Sequence, residues 1–121
     1  MVKGIGTDLI EIERIKKACD TEAFLVRCFT EKERNMIKDN SRRAAGNFAV
    51  KEAVSKVFGT GVSGFSLKDI EVLRDDFGKP YVNLYGRAKV ISETLGIDRI
   101  HVSISNTKTL AVAFAVGEGN L

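Results

Sequence analysis

The chain begins with a short apolar run and then changes to helical spacing. Residues 2–10 predict a strand, in which Gly4 and Gly6 allow another backbone or a ligand to come close. A helix is predicted over residues 11–20, and a second short helix over residues 21–28. In the first helix the apolar residues that recur at i, i+3 and i+7 are Ile12, Ile15 and Cys19.

Two further helices are predicted before the middle of the chain. Thr30 and Glu33 have the spacing of a capping box, which indicates a helix start. The longest helix is predicted over residues 42–58, and it is apolar on so many sides that we expect it to be largely buried. Gly59 and Gly61 end this helix, because glycine tolerates the left-handed conformation of a helix terminus.

The second half of the chain carries strand patterns. Strands are predicted over residues 65–75 and 81–85, joined by the turn sequence "DFGKP" and followed by a helix over residues 86–96. Residues 99–106 and 109–116 form two further β-rich runs, most simply a hairpin. The predicted fold class is therefore α+β, with a mostly antiparallel sheet packed against a long buried helix.

The composition is typical of one globular domain over residues 1–121. Apolar residues make up 44% of the chain and charged residues 29%. The 19 lysines and arginines exceed the 16 acidic residues, and the net charge of +3 favours an anionic partner: a phosphate-bearing ligand, an acidic protein or nucleic acid. Because no block of basic residues is present, we predict that the protein does not bind nucleic acid.

The cysteines and the N-terminal segment indicate a cytoplasmic protein that does not enter a membrane. Cys19 and Cys28 do not have the spacing of a zinc site, and one histidine cannot complete such a site, so we expect reduced thiols. Asp8 and Glu11 occur too early for a signal peptide. No apolar run approaches the length of a membrane span.

The stretch "FAVKEAVSKVFGTG" places a carboxylate and an ammonium one turn apart in the predicted buried helix. Glu52 and Lys56 have the spacing of an ordinary helical ion pair on a solvated face, which is the simpler interpretation. Alternatively, Asp8 and Glu52 share a hard cation such as Mg²⁺, and Lys56 lies beside a phosphate. Asp8 has a simpler interpretation too, as an N-cap of the next helix or as part of an Asx turn before it.

Two weaker candidates lie elsewhere in the chain. His101 and Ser103 share one face of a predicted strand, although a lone histidine there is more often a packed or surface residue. The sequence "GTG" offers backbone N–H groups to a phosphate, but it does not match a Walker P-loop.

Five stretches together resemble the holo-acyl-carrier-protein synthase family, the small bacterial-type 4′-phosphopantetheinyl transferases. They are "GIGTDLIEIERI", "FTEKE", "FAVKEAVSKVFGTG", "DIEVLRDDFGKPYV" and "HVSISNTKTLAVAFAV", in the family's order and across nearly the whole chain. The resemblance implies the phosphopantetheinyl transferase fold. It also implies Mg²⁺-dependent transfer of phosphopantetheine from coenzyme A to a serine of apo-acyl carrier protein, with Mn²⁺ as a possible substitute.

The resemblance also implies roles for individual residues. Asp8 and Glu52 match the metal-binding carboxylates, and Lys56 matches a lysine beside the coenzyme A diphosphate. The resemblance does not decide whether Glu52 or a metal-bound water takes the serine proton. Besides Lys56, the residues that match coenzyme A contacts are Gly59, Thr60, Gly61, Lys79, Pro80, His101 and Ser103.

The implied partners are coenzyme A, an acidic acyl carrier protein and further copies of the chain. Arg14 matches a family arginine that meets the carrier protein, and Lys17 and Arg27 are weaker candidates for the same contact. The basic net charge would speed the encounter with an acidic partner. The family is typically a homotrimer with active sites between neighbouring subunits.

Two positions depart from the family pattern. Asn47 stands where an arginine that helps to bind a coenzyme A phosphate is usual, and Asn106 stands where a second histidine is common. Arg42 or Arg43 could supply the missing charge, although the first turn of the helix points them elsewhere. We expect activity to survive both changes, because neither affects the carboxylates or Lys56.

Two rival functions make different predictions. A non-enzymatic module for phosphate ligands would bind coenzyme A without transferring any part of it. A nucleic-acid-binding protein would show strongly salt-dependent affinity for DNA or RNA. The absence of a basic cluster interleaved with aromatic residues argues against the second function.

Overall fold

A computed structural model describes residues 1–60 and 64–120. Gly61, one of the predicted coenzyme A contacts, lies outside the described residues. In chain order the elements are β1 (Val2–Glu11), α1 (Ile12–Ala18), α2 (Glu22–Cys28), α3 (Glu31–Ile37), α4 (Ser41–Phe58), a 3₁₀ turn (Leu67–Asp69), β2 (Ile70–Arg74), β3 (Pro80–Leu84), α5 (Gly86–Thr94), β4 (Arg99–Asn106) and β5 (Leu110–Glu118).

The strands form two antiparallel groups, which confirms the predicted α+β class. The last strand, β5, lies in the middle of a three-stranded sheet with the order β1-β5-β4. In its register Asp8 is opposite Ala113, and Ala113 is opposite Ile104 on the other side. Strands β2 and β3 form a separate two-stranded hairpin.

Helix α4 packs across the inner face of the three-stranded sheet and is buried along most of its length, as predicted. Two glycines of β1 make this close approach possible. A Cβ atom on Gly6 would lie 1.9 Å from the carbonyl oxygen of Ala53, and one on Gly4 would lie 2.6 Å from that of Val57. Any side chain at these positions would therefore push the helix off the sheet.

No element within residues 1–60 and 64–120 covers the outer face of the same sheet in this way. Ile5 and Leu9 of β1 are 62% and 64% exposed, and Phe114 of β5 is 46% exposed. The alternation along these strands therefore separates small residues beneath α4 from large apolar residues in solvent.

One predicted boundary and one alternative interpretation were wrong. Residues 65–69 are not a strand, because Asp69 caps a local turn: its carboxylate accepts from the Ser66 N–H at 3.4 Å, and its own N–H donates to the Ser66 carbonyl at 3.0 Å. Asp8 is not an N-cap, because β1 continues through it to Glu11 and α1 begins only at Ile12. In residues 1–60 and 64–120, no helix is long and apolar enough to cross a membrane.

Candidate active site

Asp8 and Lys56 meet where β1 passes beneath the C-terminal half of α4. The Lys56 ammonium donates to the carbonyl oxygen of Thr7 at 2.7 Å and lies 3.5 Å from Asp8 Oδ1. The Asp8 side chain is 19% exposed and that of Lys56 is 54% exposed. Asp8 is therefore mostly covered by protein, whereas the Lys56 ammonium is open to an incoming anion.

Glu52 completes this group from the preceding turn of α4. Partial burial raises the pKa of Glu52 above its usual value, the nearby Asp8 carboxylate raises it further, and Lys56 and Arg14 act in the opposite direction. In the described part of the chain, Lys56 pairs with Asp8 and not with Glu52. The simple helical ion pair is therefore not formed, and Asp8, Glu52 and Lys56 make one cluster.

The cluster has the ligands that a hard divalent cation prefers. The Asp8 carboxylate makes ionisation of Glu52 more costly, and a cation placed between the two carboxylates would offset that cost. Mg²⁺ is commonly bound through one or two carboxylates, with water and substrate phosphate completing its shell. Among the described residues no three His, Cys, Asp or Glu side chains converge, so a site supplied entirely by protein ligands is not present there.

A second, deeper ion pair was not predicted from the sequence. The Lys51 ammonium lies 2.8 Å from Glu33 Oε1, and both side chains are 0% exposed. Lys51 also donates to the carbonyl oxygens of Leu67, at 3.0 Å, and of Ile70. Because this pair is sealed from solvent and fully hydrogen-bonded, it holds elements together and offers no group to a ligand.

Asn47 is the other polar side chain buried on α4. Its amide nitrogen donates to Glu33 Oε2 at 3.1 Å and to the carbonyl oxygen of Val72 at 3.0 Å. Its carbonyl oxygen accepts a hydrogen bond of 2.9 Å from the guanidinium of Arg74. Asn47 therefore has no N–H group left to donate to a ligand. It does hold the side chain of Arg74, a residue that was not among the predicted site residues.

The residues assigned to coenzyme A by resemblance are spread over several places. Gly59 ends α4 with φ of +77°, as predicted, and Thr60 follows it at the exposed surface. Lys79 is exposed in the turn between β2 and β3, where its N–H donates to Asp75 at 2.9 Å. Pro80 begins β3 and lines a separate cleft with Arg74.

His101 and Ser103 lie on the outer face of the three-stranded sheet, as predicted from strand alternation. His101 Nε2 is 3.1 Å from Glu118 Oε1. Asp8 belongs to the inner-face set of β1, together with Gly4 and Gly6. Within one chain the sheet therefore separates this pair from the carboxylate cluster.

The predicted carrier-protein contacts are all exposed. Arg14 and Lys17 lie on α1, and the influence of Arg14 on Glu52 places it at the edge of the carboxylate cluster. Arg27 lies on α2, with its guanidinium 6.0 Å from the ring centre of Phe24. A cleft of about 810 Å³ between β3, α5 and β4 contains none of the predicted site residues.

Comparison with known proteins gives a consistent match over the whole chain. Residues 4–115 match the model of the 4′-phosphopantetheinyl transferase superfamily. The chain is 53% identical to a holo-[acyl-carrier-protein] synthase of Lachnoclostridium phytofermentans, over 98% of this chain and 97% of the relative.

Solved structures agree with the sequence match. A holo-(acyl-carrier-protein) synthase from Bacillus anthracis in complex with CoA (3′,5′-ADP) superposes with a TM-score of 0.82, at 40% identity and with 99% of each chain covered. The synthase from Helicobacter pylori in complex with coenzyme A gives a TM-score of 0.84, at 32% identity, covering 94% of this chain and 99% of that one.

Proposed function

Because the chain belongs to the 4′-phosphopantetheinyl transferase superfamily, we propose that Asp8, Glu52 and Lys56 form its reaction centre. The protein is a holo-acyl-carrier-protein synthase: it transfers the 4′-phosphopantetheine arm of coenzyme A to a serine of an apo-acyl carrier protein. The second product is adenosine 3′,5′-bisphosphate. The observation that supports this reaction centre is the convergence of two carboxylates and a half-exposed ammonium at the junction of β1 and α4.

Asp8 and Glu52 would hold a Mg²⁺ ion, or Mn²⁺ in its place. When bound, such an ion neutralises charge on the coenzyme A diphosphate. Both carboxylates come from regular secondary structure, which fixes their spacing better than a loop would. Because α4 covers most of the Asp8 side chain, its charge acts mainly on Glu52 and Lys56.

Lys56 stabilises the charge that develops on the leaving bisphosphate. Its ammonium is already held by the Thr7 carbonyl and Asp8, so little reorganisation is needed when a phosphate arrives. The carrier serine Oγ forms a bond to the phosphorus nearest pantetheine, and the bond from that phosphorus to the bridging oxygen breaks. The electron pair leaves with adenosine 3′,5′-bisphosphate.

Glu52 is the group of this chain best suited to accept the serine proton. A carboxylate is normally a weak base, but its partial burial and the Asp8 charge raise the pKa of Glu52. Without a cation, this raised pKa brings Glu52 closer to the pH at which a general base works. A bound cation would lower the pKa again, and a water held by that cation would then be the alternative base.

The carrier protein docks on the basic surface formed by α1 and α2. Arg14 is exposed beside Glu52, and Lys17 and Arg27 extend positive charge away from the cluster. Charge complementarity with an acidic carrier raises the encounter rate and orients the serine toward the cluster.

The active assembly is a homotrimer in which the outer face of the sheet is covered by another copy. This face exposes large apolar side chains on two neighbouring strands, those of Ile5, Leu9 and Phe114. Their contact with water is unfavourable, and a neighbouring copy would remove it. His101 and Ser103 lie on that same face. A neighbouring copy seated there would bring its carboxylate cluster toward these two residues and so complete a coenzyme A site between subunits.

The protein acts as one domain in the cytoplasm and serves fatty acid biosynthesis. Cys19 and Cys28 are free thiols, a state that a reducing compartment maintains. The remaining coenzyme A contacts would come from Gly59, Thr60, Gly61, Lys79 and Pro80.

Intact mass spectrometry of an apo-acyl carrier protein tests the reaction directly. After incubation with this protein, coenzyme A and Mg²⁺, the carrier should gain the mass of one phosphopantetheine group. A chelator should abolish the gain, and Mn²⁺ should restore it. A carrier that gains the group equally well in chelator would overturn the metal assignment, and a carrier that gains nothing while coenzyme A binds would favour the binding-only function.

A further inference from the structure

A carboxylate that the proposed reaction does not use lies next to one of the predicted coenzyme A contacts. Glu118, at the end of β5, has its Oε1 atom 3.1 Å from Nε2 of His101 on β4. The residue opposite Glu118 on β4 is Arg99, so Glu118 and His101 are diagonal neighbours on the outer face of the sheet. Side chains as long as these reach each other across such a diagonal.

The end of β5 is fixed on both sides, so the Glu118 side chain extends from a rigid backbone. Its carbonyl oxygen accepts from the Asp98 N–H at 3.0 Å, and its partner in the register of β1 is Val2. The next residue, Gly119, donates its N–H to the Met1 carbonyl at 3.0 Å and accepts from the N-terminal ammonium at 2.6 Å. A carboxylate supported in this way can orient a neighbouring side chain.

The surroundings of Glu118 favour its ionised form. The pKa of Glu118 is below its usual value, chiefly because of its hydrogen bond with His101. Desolvation acts in the opposite direction, whereas the N-terminal ammonium and Arg99 lower the pKa further. Glu118 is therefore an ionised hydrogen-bond acceptor at neutral pH.

This carboxylate determines which nitrogen of His101 is left for a ligand. An ionised carboxylate can only accept, so Nε2 carries the hydrogen of the contact. In the neutral ring Nδ1 then has the lone pair and can accept from an N–H or O–H group. The side chains of His101 and Glu118 are 52% and 45% exposed, and a pair so open to solvent contributes little to stability. Its effect is on the orientation and the tautomer of the ring.

We propose that Glu118 is a positioning residue, which holds the His101 ring so that Nδ1 can accept from an N–H or O–H group of coenzyme A. The pair lies on the face that a neighbouring copy would cover, and exclusion of water there would strengthen both hydrogen bonds. This inference rests on the proposed function, because it takes coenzyme A as the ligand and His101 as one of its contacts.

A double-mutant cycle in coenzyme A affinity tests the positioning role without requiring transfer. In calorimetric titration Glu118→Ala should weaken coenzyme A binding about fivefold, because Nδ1 is no longer held toward the ligand. In a His101→Ala background the same substitution should change the affinity by less than about twofold, since no ring is left to orient. A merely structural role would weaken binding equally in both backgrounds.

Two further variants serve as controls. Glu118→Gln retains an oxygen that accepts from Nε2, so it should bind coenzyme A within about twofold of the wild type. Glu93→Ala, which removes an exposed carboxylate on α5, should leave the affinity unchanged. Sedimentation velocity checks that these variants and the wild type have the same assembly.

His101 is the only histidine in the chain, which permits a direct measurement on the wild type. In protein with ¹⁵N-labelled histidine, the long-range ¹H–¹⁵N spectrum should show one imidazole with its hydrogen on Nε2 at about pH 8. Addition of coenzyme A should shift the Nδ1 resonance more than the Nε2 resonance.

A larger shift at Nε2, or an equal loss of affinity on Glu118→Ala in both backgrounds, would overturn the positioning role. A coupled cycle in a protein that transfers nothing to any carrier would overturn the proposed function and leave the role of Glu118 standing.

Discussion

Glu33 and Glu52 illustrate how the same side chain acquires different roles from its surroundings. Burial raises the pKa of both carboxyls. Glu33 is sealed inside against Lys51, whereas Glu52 is partly exposed and its strongest charged influence is another carboxylate, Asp8. A carboxylate facing a like charge at the surface can attract a cation, but one that is paired inside cannot.

Removal of either carboxylate charge from the proposed reaction centre should abolish most transfer. Asp8→Asn and Glu52→Gln should each lower kcat/KM by roughly 100-fold or more, because charge stabilisation in a preorganised site is a large catalytic contribution. The measurement is the rate of carrier modification by mass spectrometry, with Glu93→Gln on α5 as a matched exposed control. Full activity in both variants would rule out the metal assignment.

The raised pKa of Glu52 also predicts an effect on stability. A carboxyl with a folded pKa above its unfolded value binds its proton more tightly when folded, so its ionisation destabilises the fold as pH rises through that range. Without metal, Glu52→Gln should therefore melt at a higher temperature than the wild type at pH 8. The difference should shrink as the pH falls below the unfolded pKa of glutamate. Added Mg²⁺ should stabilise the wild type more than the variant.

At the scale of elements, one buried lysine connects three parts of the fold. Lys51 of α4 reaches Glu33 of α3, and it reaches the carbonyls of Leu67 in the 3₁₀ turn and Ile70 in β2. Thr30, the N-cap of α3, donates to Glu71 of β2 at 2.6 Å. These contacts fix the two-stranded hairpin to the helix that carries Glu52.

Loss of the buried ammonium should be costly. Lys51→Met should lower the free energy of unfolding by about 3–5 kcal/mol, because Glu33 and two carbonyl oxygens lose their partner in a dry interior. Urea unfolding followed by circular dichroism measures this, with Lys68→Met at an exposed position as the control.

The double variant Glu33→Leu with Lys51→Met should recover much of that loss, because no unpaired charge remains. About 1 kcal/mol should stay missing, since Glu33 also closes the capping box of α3. If the double variant were less stable than Lys51→Met alone, the unpaired Glu33 carboxylate could not be the cause of the lost stability.

At the scale of the whole molecule, the three-stranded sheet has two faces of different character. The inner face carries glycine and alanine beneath α4, and Asp8 belongs to it. The outer face carries exposed apolar residues and the His101–Glu118 contact. One chain therefore presents the predicted coenzyme A contacts on two sides of a sheet, which an assembly of copies would bring together.

A charge placed on the outer face should separate the copies. Leu9→Glu and Phe114→Glu should each convert the proposed trimer to monomers at micromolar concentration, because each would bury an unpaired carboxylate in the proposed apolar interface. Sedimentation velocity measures the assembly, and Val90→Glu, at an exposed apolar position on α5, is the control. Transfer should decline together with trimer content. A wild type that sediments as a monomer yet is fully active would contradict the shared site.

Local patterns in the sequence were enough to predict most elements. Helical spacing placed α1 and α4, and the Thr30–Glu33 capping box is present as predicted. Strand alternation put His101 and Ser103 on the face opposite Val102 and Ile104. Residues 65–69 were misassigned, because the Ser66–Asp69 turn depends on a side-chain hydrogen bond that apolar alternation does not reveal.

The sequence by itself determined the α+β class and the buried central helix, which follow from local periodicity. Through the resemblance of its motifs it also indicated the family and the candidate residues Asp8, Glu52 and Lys56. Only the tertiary structure decided that Lys56 pairs with Asp8, that Lys51 is the buried cation, and that Asn47 holds Arg74. Each of these pairs joins residues 18 to 48 positions apart, and such contacts depend on how helix and strands pack, which a linear pattern does not encode.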